Sequence, residues 1–479
     1  MSLMKKFVAP KLERGGMLEI MRLGEAQQES RTFDASWILS SSEEMHRSAR
    51  SGTRREVACG LLHNFASRSL VDQIAVGKSI VWQYYRKDAH HSYWNGCSTG
   101  ELLDGVLANA PAINFVNLLM GELWPQQVMK KANMYLSNCE LDFFRAEAIK
   151  ACELDNSVKP GVLHEPEACH WSPSSLVGVK FACDGRDVKE MAQVVQDIHD
   201  GPVGSSKHNK FPGLAWGVPM TTLANITLAT DGTRRSNPFA IAASWLQKVV
   251  LRNEGLFPGT MDEAALDSLW VAAQVEFGGL LHTDDPNLSR LRDSGTKLLT
   301  WHGINDQMIP FQNTINYRRK VEAIMGAAYE VDNYYRVFLA PGVEHCGGGI
   351  GPVPKDPLEA LVNWVEHDEP PETLDAEILD HEGDLVTQDL CLWPGVSHHM
   401  GIGNVKRASS WSCIGGTERP VLAEQVVQQN FEYGSMQQPW QVNPELDANE
   451  EKKHPDRAGQ FLGDLKDRLE GLGMGLLVE

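Results

Sequence analysis

A serine between two glycines, Gly96-Cys97-Ser98-Thr99-Gly100, sets the tightest limit on how this chain folds. Upstream of it, Leu70, Ile74, Val81 and Tyr85 recur at helical spacing and predict an amphipathic helix over residues 69–85. A polar turn, RKDAHH, and a β-prone run, Ser92-Tyr93-Trp94-Asn95, come next. Helix, strand, then a sharp glycine-flanked turn is the context of a nucleophile elbow. There Gly96 and Gly100 permit the tight bend that lifts the Ser98 hydroxyl out of the sheet edge. The backbone N–H of Thr99, one residue on, would then face a developing oxyanion. In a chain with 42 glycines such a pentapeptide also arises by chance, so the turn needs partners elsewhere.

Two partners follow in the order that a Ser-Asp-His hydrolase uses. The run TKLLTW (296–301) predicts a strand, and Asp306 lies just past its end in WHGIND. A helix is predicted over Phe311–Met325 and a second strand over Tyr335–Ala340, after which His345 sits in the glycine-rich PGVEHCGG loop. Leu358, Leu361, Val362 and Val365 mark one face of a closing helix. Alternating strands and helices imply an α/β fold with a mostly parallel sheet. In the expected triad Ser98 attacks an ester carbonyl, His345 takes and returns the proton, and Asp306 fixes the imidazole tautomer. Cys97 directly precedes Ser98 and Cys346 directly follows His345, so a bridge between them would staple the two loops together. Cys97 is itself a rival thiol nucleophile, but a bridged cysteine cannot attack, and the elbow favours its central residue.

Length and charge bound the rest. At 479 residues the chain suggests roughly two to four structural units at ~150 residues each. A formal charge of -19 repels phosphate backbones and argues against nucleic-acid partners. No apolar run approaches the ~18 residues of a membrane span. The N-terminal MSLMKKFVAPKLERGG lacks the apolar segment of a secretory signal. The nine cysteines nevertheless read as loop staples from an oxidising compartment: Cys139, Cys152, Cys169 and Cys183 cluster, and Cys391 and Cys413 form a near pair. Zinc is the rival for these thiols, without CxxC or HxxxH spacing to support it. His63, His90, His91, His398 and His399 read as surface or packing residues.

The expected organisation has five parts. Residues 1–55 are a polar, disordered or unrelated leader, and 56–117 form the first part of the core. Residues 118–290 make an inserted loop-rich lid, 291–413 the second part of the core, and 414–479 a polar C-terminal extension. In that extension Phe461, Leu462, Leu465, Leu469 and Leu472 would mark one stripe of a terminal helix.

These motifs resemble the tannase and feruloyl esterase family of fungal and bacterial secreted esterases. The resemblance runs through HNFASRSL, VGKSIVWQYYRK, SYWNGCSTG, DGVLANAPAINF, WHGINDQMIP, APGVEHCGGG, LEALVNWVEHDEPPETL and CLWPGVSHHMGIGNVKRASSWSC, over about residues 60–413. It implies an α/β-hydrolase core with an inserted lid, extracellular action and hydrolysis of small phenolic esters. Ser98, Asp306 and His345 would be the triad, with Cys97–Cys346 bridged. The stretch ending at Cys413 would be the family's C-terminal cysteine loop, closed on Cys391. The segment from Cys152 to Val162 resembles the family's calcium loop, in which a structural Ca2+ would take oxygens from Glu153, Asn156 and the carbonyls of Val158 and Val162. Pro160 stands where an acidic ligand is usual, and a Cys152–Cys169 staple alone would serve the same turn.

Two departures bear on activity. Gly100 is followed at once by Glu101-Leu102-Leu103-Asp104-Gly105, where the resemblance implies a helix of about a dozen residues. The family's Gly-rich strand-loop has no counterpart in residues 1–55. The reading is therefore an α/β-hydrolase truncated in its N-terminal half, acting as a serine carboxylic ester hydrolase on feruloyl or galloyl esters. The alternatives are a catalytically silent member that only binds phenolic ligands and, further off, a calcium-dependent binding module.

Overall fold

The computed structural model describes residues 62–96, 102–153, 161–180, 183, 188–203, 210–253, 255, 259 and 261–415. By contact the chain divides at Gln429/Asn430, and all described residues belong to the first unit. The leader, the C-terminal extension with its expected helix, and Cys97, Ser98, Thr99, Asn156 and Val158 lie outside the described residues, as does the Cys346 side chain.

Helix α1, Ser69–Tyr85, turns Leu70, Ile74, Gly77 and Val81 inward, and its last residue, Tyr85, is exposed. Its apolar stripe meets Leu103 and Val106. Strands β1 (Tyr93–Asn95) and β2 (Gly105–Asn109) follow. They are parallel neighbours, Tyr93 opposite Gly105, joined by residues 96–104 alone. Parallel crossovers ordinarily take a dozen residues or more. The described part of this one, residues 96 and 102–104, is not helical.

Between β2 and the next core strand lies the insertion. It carries α2 (Phe115–Gly121), α3 (Trp124–Lys131), α4 (Asn138–Cys152), α5 (Val188–Asp200), the small hairpin β3 (Ile226–Leu228) and β4 (Arg234–Ser236), and α6 (Glu263–Leu281). Helix α4 starts on a capping box: Ser137 N–H donates to Glu140 Oε2 at 2.7 Å, and Glu140 N–H donates to Ser137 Oγ at 3.4 Å. The same Glu140 oxygen, fully buried, meets Arg234 at 2.5 Å and so ties the helix to β4. Disulfides Cys139–Cys183 and Cys152–Cys169 pair the four clustered cysteines, and Cys391–Cys413 closes the C-terminal loop.

The core resumes with β5 (Lys297–Gly303), helix α7 (Phe311–Met325) and β6 (Tyr335–Ala340), giving a parallel sheet in the order β1-β2-β5-β6. Alternation along the strands assigns its two faces. Leu107, Leu299, Trp301, Phe338 and Ala340 pack against Leu361 and Trp364 of α8 (Pro357–His367). Tyr335 and Val337 face the other way, toward Phe311, Ile315 and Val321 of α7. A sheet buried on both faces explains why its strands read as apolar runs rather than alternating ones. Antiparallel strands β7 (Val353–Pro354), β8 (Thr373–Leu379) and β9 (Leu385–Cys391) form a second sheet, and β10 (Val396–His399) pairs with β11 (Trp411–Ile414). Among the described residues no helix is long and apolar enough to cross a membrane.

The insertion also contains a pH-sensitive packing point. His199 Nδ1 donates to the Leu214 carbonyl at 2.5 Å, and its ring lies 3.8 Å from that of Trp216. Burial pushes the imidazole down to about 4, against the opposing pull of the Leu214 hydrogen bond. Between that value and its ordinary ~6.5 the unfolded chain binds the proton and the native one does not, so stability falls as pH falls through this window. The expected loss from pH 7 to pH 4 is about 3 kcal/mol from this residue. Urea midpoints of His199→Gln should fall less over the same range, and parallel pH curves for the two proteins would refute the assignment.

Candidate active site

Because β1, β2, β5 and β6 are all parallel, the loops leaving β1, β5 and β6 emerge at one edge of the sheet. Two of them are locked together by main-chain bonds. Ile304 N–H donates to the Ala340 carbonyl at 2.9 Å, and Asn305 N–H donates to the Val343 carbonyl at 3.0 Å. This close approach requires Gly303: a Cβ there would lie 2.3 Å from the Val343 oxygen.

On these loops sit Asp306 and His345. Asp306 is 1 % exposed, and its Oδ2 accepts from His345 Nδ1 at 2.8 Å. Its other oxygen, Oδ1, accepts from the backbone N–H groups of Met308 and Ile309 at 2.9 and 2.8 Å. Burial alone would raise the carboxyl's pKa. Hydrogen bonds from His302 and His345, with the charges of both rings, outweigh burial and hold it well below the usual carboxylate range. His345 opens a short 3-10 turn, His345–Gly347, and its backbone N–H is anchored on Gln307 Oε1 at 3.0 Å.

Two supporting residues lay inside motifs already singled out but carried no assigned role. His302 is fully buried. Its Nε2 lies 2.9 Å from the Ile309 carbonyl and 3.3 Å from Asp306 Oδ2, and its Nδ1 lies 2.8 Å from Thr314 Oγ1. Donation to a carbonyl puts the ring proton on Nε2, where it also faces the Asp306 carboxylate. Asn305 Nδ2 donates to the Gly217 carbonyl at 3.0 Å and fastens the loop to the insertion. Two polar residues just ahead of an acid at a strand end were the available signal.

The fit of a calcium ion is partial on what is described. Glu153 Oε1 accepts from Gly161 N–H, and the Val162 side chain is buried. A carboxylate and a carbonyl fall well short of the six to eight oxygens that calcium takes. One carboxylate group elsewhere, Asp380, Glu382 and Asp384, is tight enough to share an ion among the described residues. Lys406 Nζ already lies 2.7, 3.2 and 2.7 Å from its three members.

The tannase and feruloyl esterase family matches residues 46–414, which include this whole constellation. The chain belongs to that family. It is 39 % identical over 372 residues to a probable feruloyl esterase of Arthroderma benhamiae, covering 74 % of this chain and 69 % of that protein. Feruloyl esterase C of Talaromyces stipitatus is 27 % identical, with 74 % and 71 % covered. Among solved structures, tannin acyl hydrolase from Aspergillus niger superposes with a TM-score of 0.67 at 22 % identity, over 74 % of this chain and 70 % of that one. Feruloyl esterase B from Aspergillus oryzae gives 0.63 at 23 %, over 74 % and 75 %. These likenesses establish the tannase and feruloyl esterase version of the α/β-hydrolase fold.

Proposed function

We propose that this chain is a carboxylic ester hydrolase cleaving feruloyl- or galloyl-type aromatic esters by an acyl-enzyme mechanism at Ser98. The observation that carries it is the part-buried Asp306–His345 hydrogen bond, 2.8 Å long, on two loops at the sheet edge where β1, the strand before Ser98, also ends. With the Nδ1 proton held on Asp306, Nε2 is the nitrogen that takes the Ser98 proton as Oγ attacks the ester carbonyl. The tetrahedral oxyanion is received by Thr99 N–H. His345 returns the proton to the departing alcohol, and water repeats the sequence to release the acid and restore Ser98. The names of the relatives, feruloyl esterases and a tannin acyl hydrolase, supply the substrate class. The three disulfides suit an oxidising, extracellular setting.

One observation favours a second reading. The β1–β2 connection is short, and its described residues 102–104 add no helix whose dipole would support an oxyanion. A catalytically silent member would bind phenolic esters without turning them over. Hydrolysis of methyl ferulate and methyl gallate by the purified chain and by Ser98→Ala separates the two. The proposal expects turnover that Ser98→Ala lowers by at least about 10³-fold. Equal rates for the two proteins would sink it.

A further inference from the structure

Helix α2 ends against Glu122, whose backbone N–H still donates to the Leu118 carbonyl at 2.9 Å. The residue is 5 % exposed, and its Oε2 has no hydrogen-bond partner among the described residues. Native chains rarely leave a buried carboxyl oxygen unsatisfied without a use for it. Around it the lining is otherwise apolar: Trp124, Phe211, Leu214, Met308 and Pro310. Phe211 is seated there because the adjacent position is Gly121, where a Cβ would come within 2.7 Å of its ring.

This small cleft abuts the reacting groups. Met308, in its wall, is the residue whose N–H holds Asp306 Oδ1. Burial raises the Glu122 carboxyl well above the carboxylate range. The His345 charge opposes that rise, and the Asp306 charge adds to it. Burial thus favours the protonated carboxyl, which has an O–H to donate as well as an oxygen that accepts. The cleft has room for about one water molecule, which is the size of a hydroxyl substituent and far less than a ring.

We propose that Glu122 is a specificity residue that hydrogen-bonds a phenolic hydroxyl on the aromatic ring of the bound ester, the hydroxyl entering the cleft beside Met308. This rests on the esterase reading above and adds to it a preference for hydroxylated rings over bare ones. A site built around a buried polar group discriminates strongly against a substrate that leaves that group unpaired.

The test uses a pair differing by one hydroxyl, methyl p-coumarate and methyl cinnamate. The ratio of their kcat/KM values should favour the coumarate in the parent chain. In Glu122→Leu that ratio should fall by about 10- to 100-fold, while Glu122→Gln, which keeps a donor, restores most of it. Calorimetric binding of the same two esters to the Ser98→Ala chain, with and without Glu122→Leu, reads the preference without turnover. Melting temperatures report whether each variant is folded. An unchanged coumarate-to-cinnamate ratio in a folded Glu122→Leu protein overturns the inference. Failure of the parent to hydrolyse either ester overturns the esterase reading instead, and the binding arm then still decides the role of Glu122.

Discussion

Asp306→Asn should lower kcat on methyl ferulate by about 10³- to 10⁴-fold with KM little changed. The carboxylate accepts from four sides: two backbone N–H groups on Oδ1, and His345 with His302 on Oδ2. An asparagine oxygen keeps the two backbone donors, so the loop holds its course and ester binding survives. Its NH₂ group then faces His345 Nδ1, which becomes an acceptor, and the imidazole proton moves to Nε2. The nitrogen that must take the serine proton already carries one. Stability responds separately. Asp306 is held below its ordinary carboxylate range, so its stabilising contribution is present above the unfolded pKa and is lost as pH falls through the folded one. The variant should therefore unfold at lower urea than the parent at pH 7, and the gap should narrow in strong acid. A kcat within about tenfold of the parent would remove Asp306 from the proposed triad.

How much of this was legible in the sequence depended on what each residue had to do. Helix α1, helix α7 and strand β6 fall where periodicity and apolar runs predicted them, because each buries one continuous face in the sheet core. Asp306 and His345 were legible from their position after successive strands. The strand Gly105–Asn109 was not identified as one, although its GVLA run is apolar and bounded by Asp104 and Asn109. The hairpin β8–β9 was overlooked despite a clear period of two, with Leu374 and Ala376 buried on one strand and Val386 and Leu390 on the other around an Asp-His-Glu-Gly-Asp turn. His302 and Glu122 could not be read at all. Their meaning lies in what the fold brings beside them: Thr314 and Ile309 for the one, Met308 and Phe211 for the other. Tertiary neighbours decide such polar residues, and local pattern carries no record of them. The pairing of Cys139 with Cys183 was likewise open, since with Cys152 and Cys169 taken as a staple, Cys59 was an equal candidate for either thiol.

Gly303→Ala is the substitution expected to show how far the site depends on that tertiary closeness. The new methyl carbon would stand 2.3 Å from the Val343 oxygen and 2.9 Å from its carbonyl carbon, both backbone atoms, so no side-chain rotation relieves the clash. Strand β5 cannot retreat easily, because Gly303 is paired opposite Ala340 at the C-terminal ends of neighbouring strands in a sheet buried on both faces. The strain must go into separating the loop that bears Asp306 from the loop that bears His345, at the Asn305–Val343 bond. Overpacking of this kind costs about 3 kcal/mol, and a displacement of about 1 Å at a reacting group costs about 10²-fold in rate. Urea unfolding should show the first effect, and kcat on methyl ferulate the second. Gly415→Ala is the matched control, since a Cβ there meets nothing within 4 Å. It should alter stability by no more than about 0.5 kcal/mol. If Gly303→Ala behaved like Gly415→Ala, the two loops would not be held by this contact, and the 2.8 Å carboxylate–imidazole bond would need another cause.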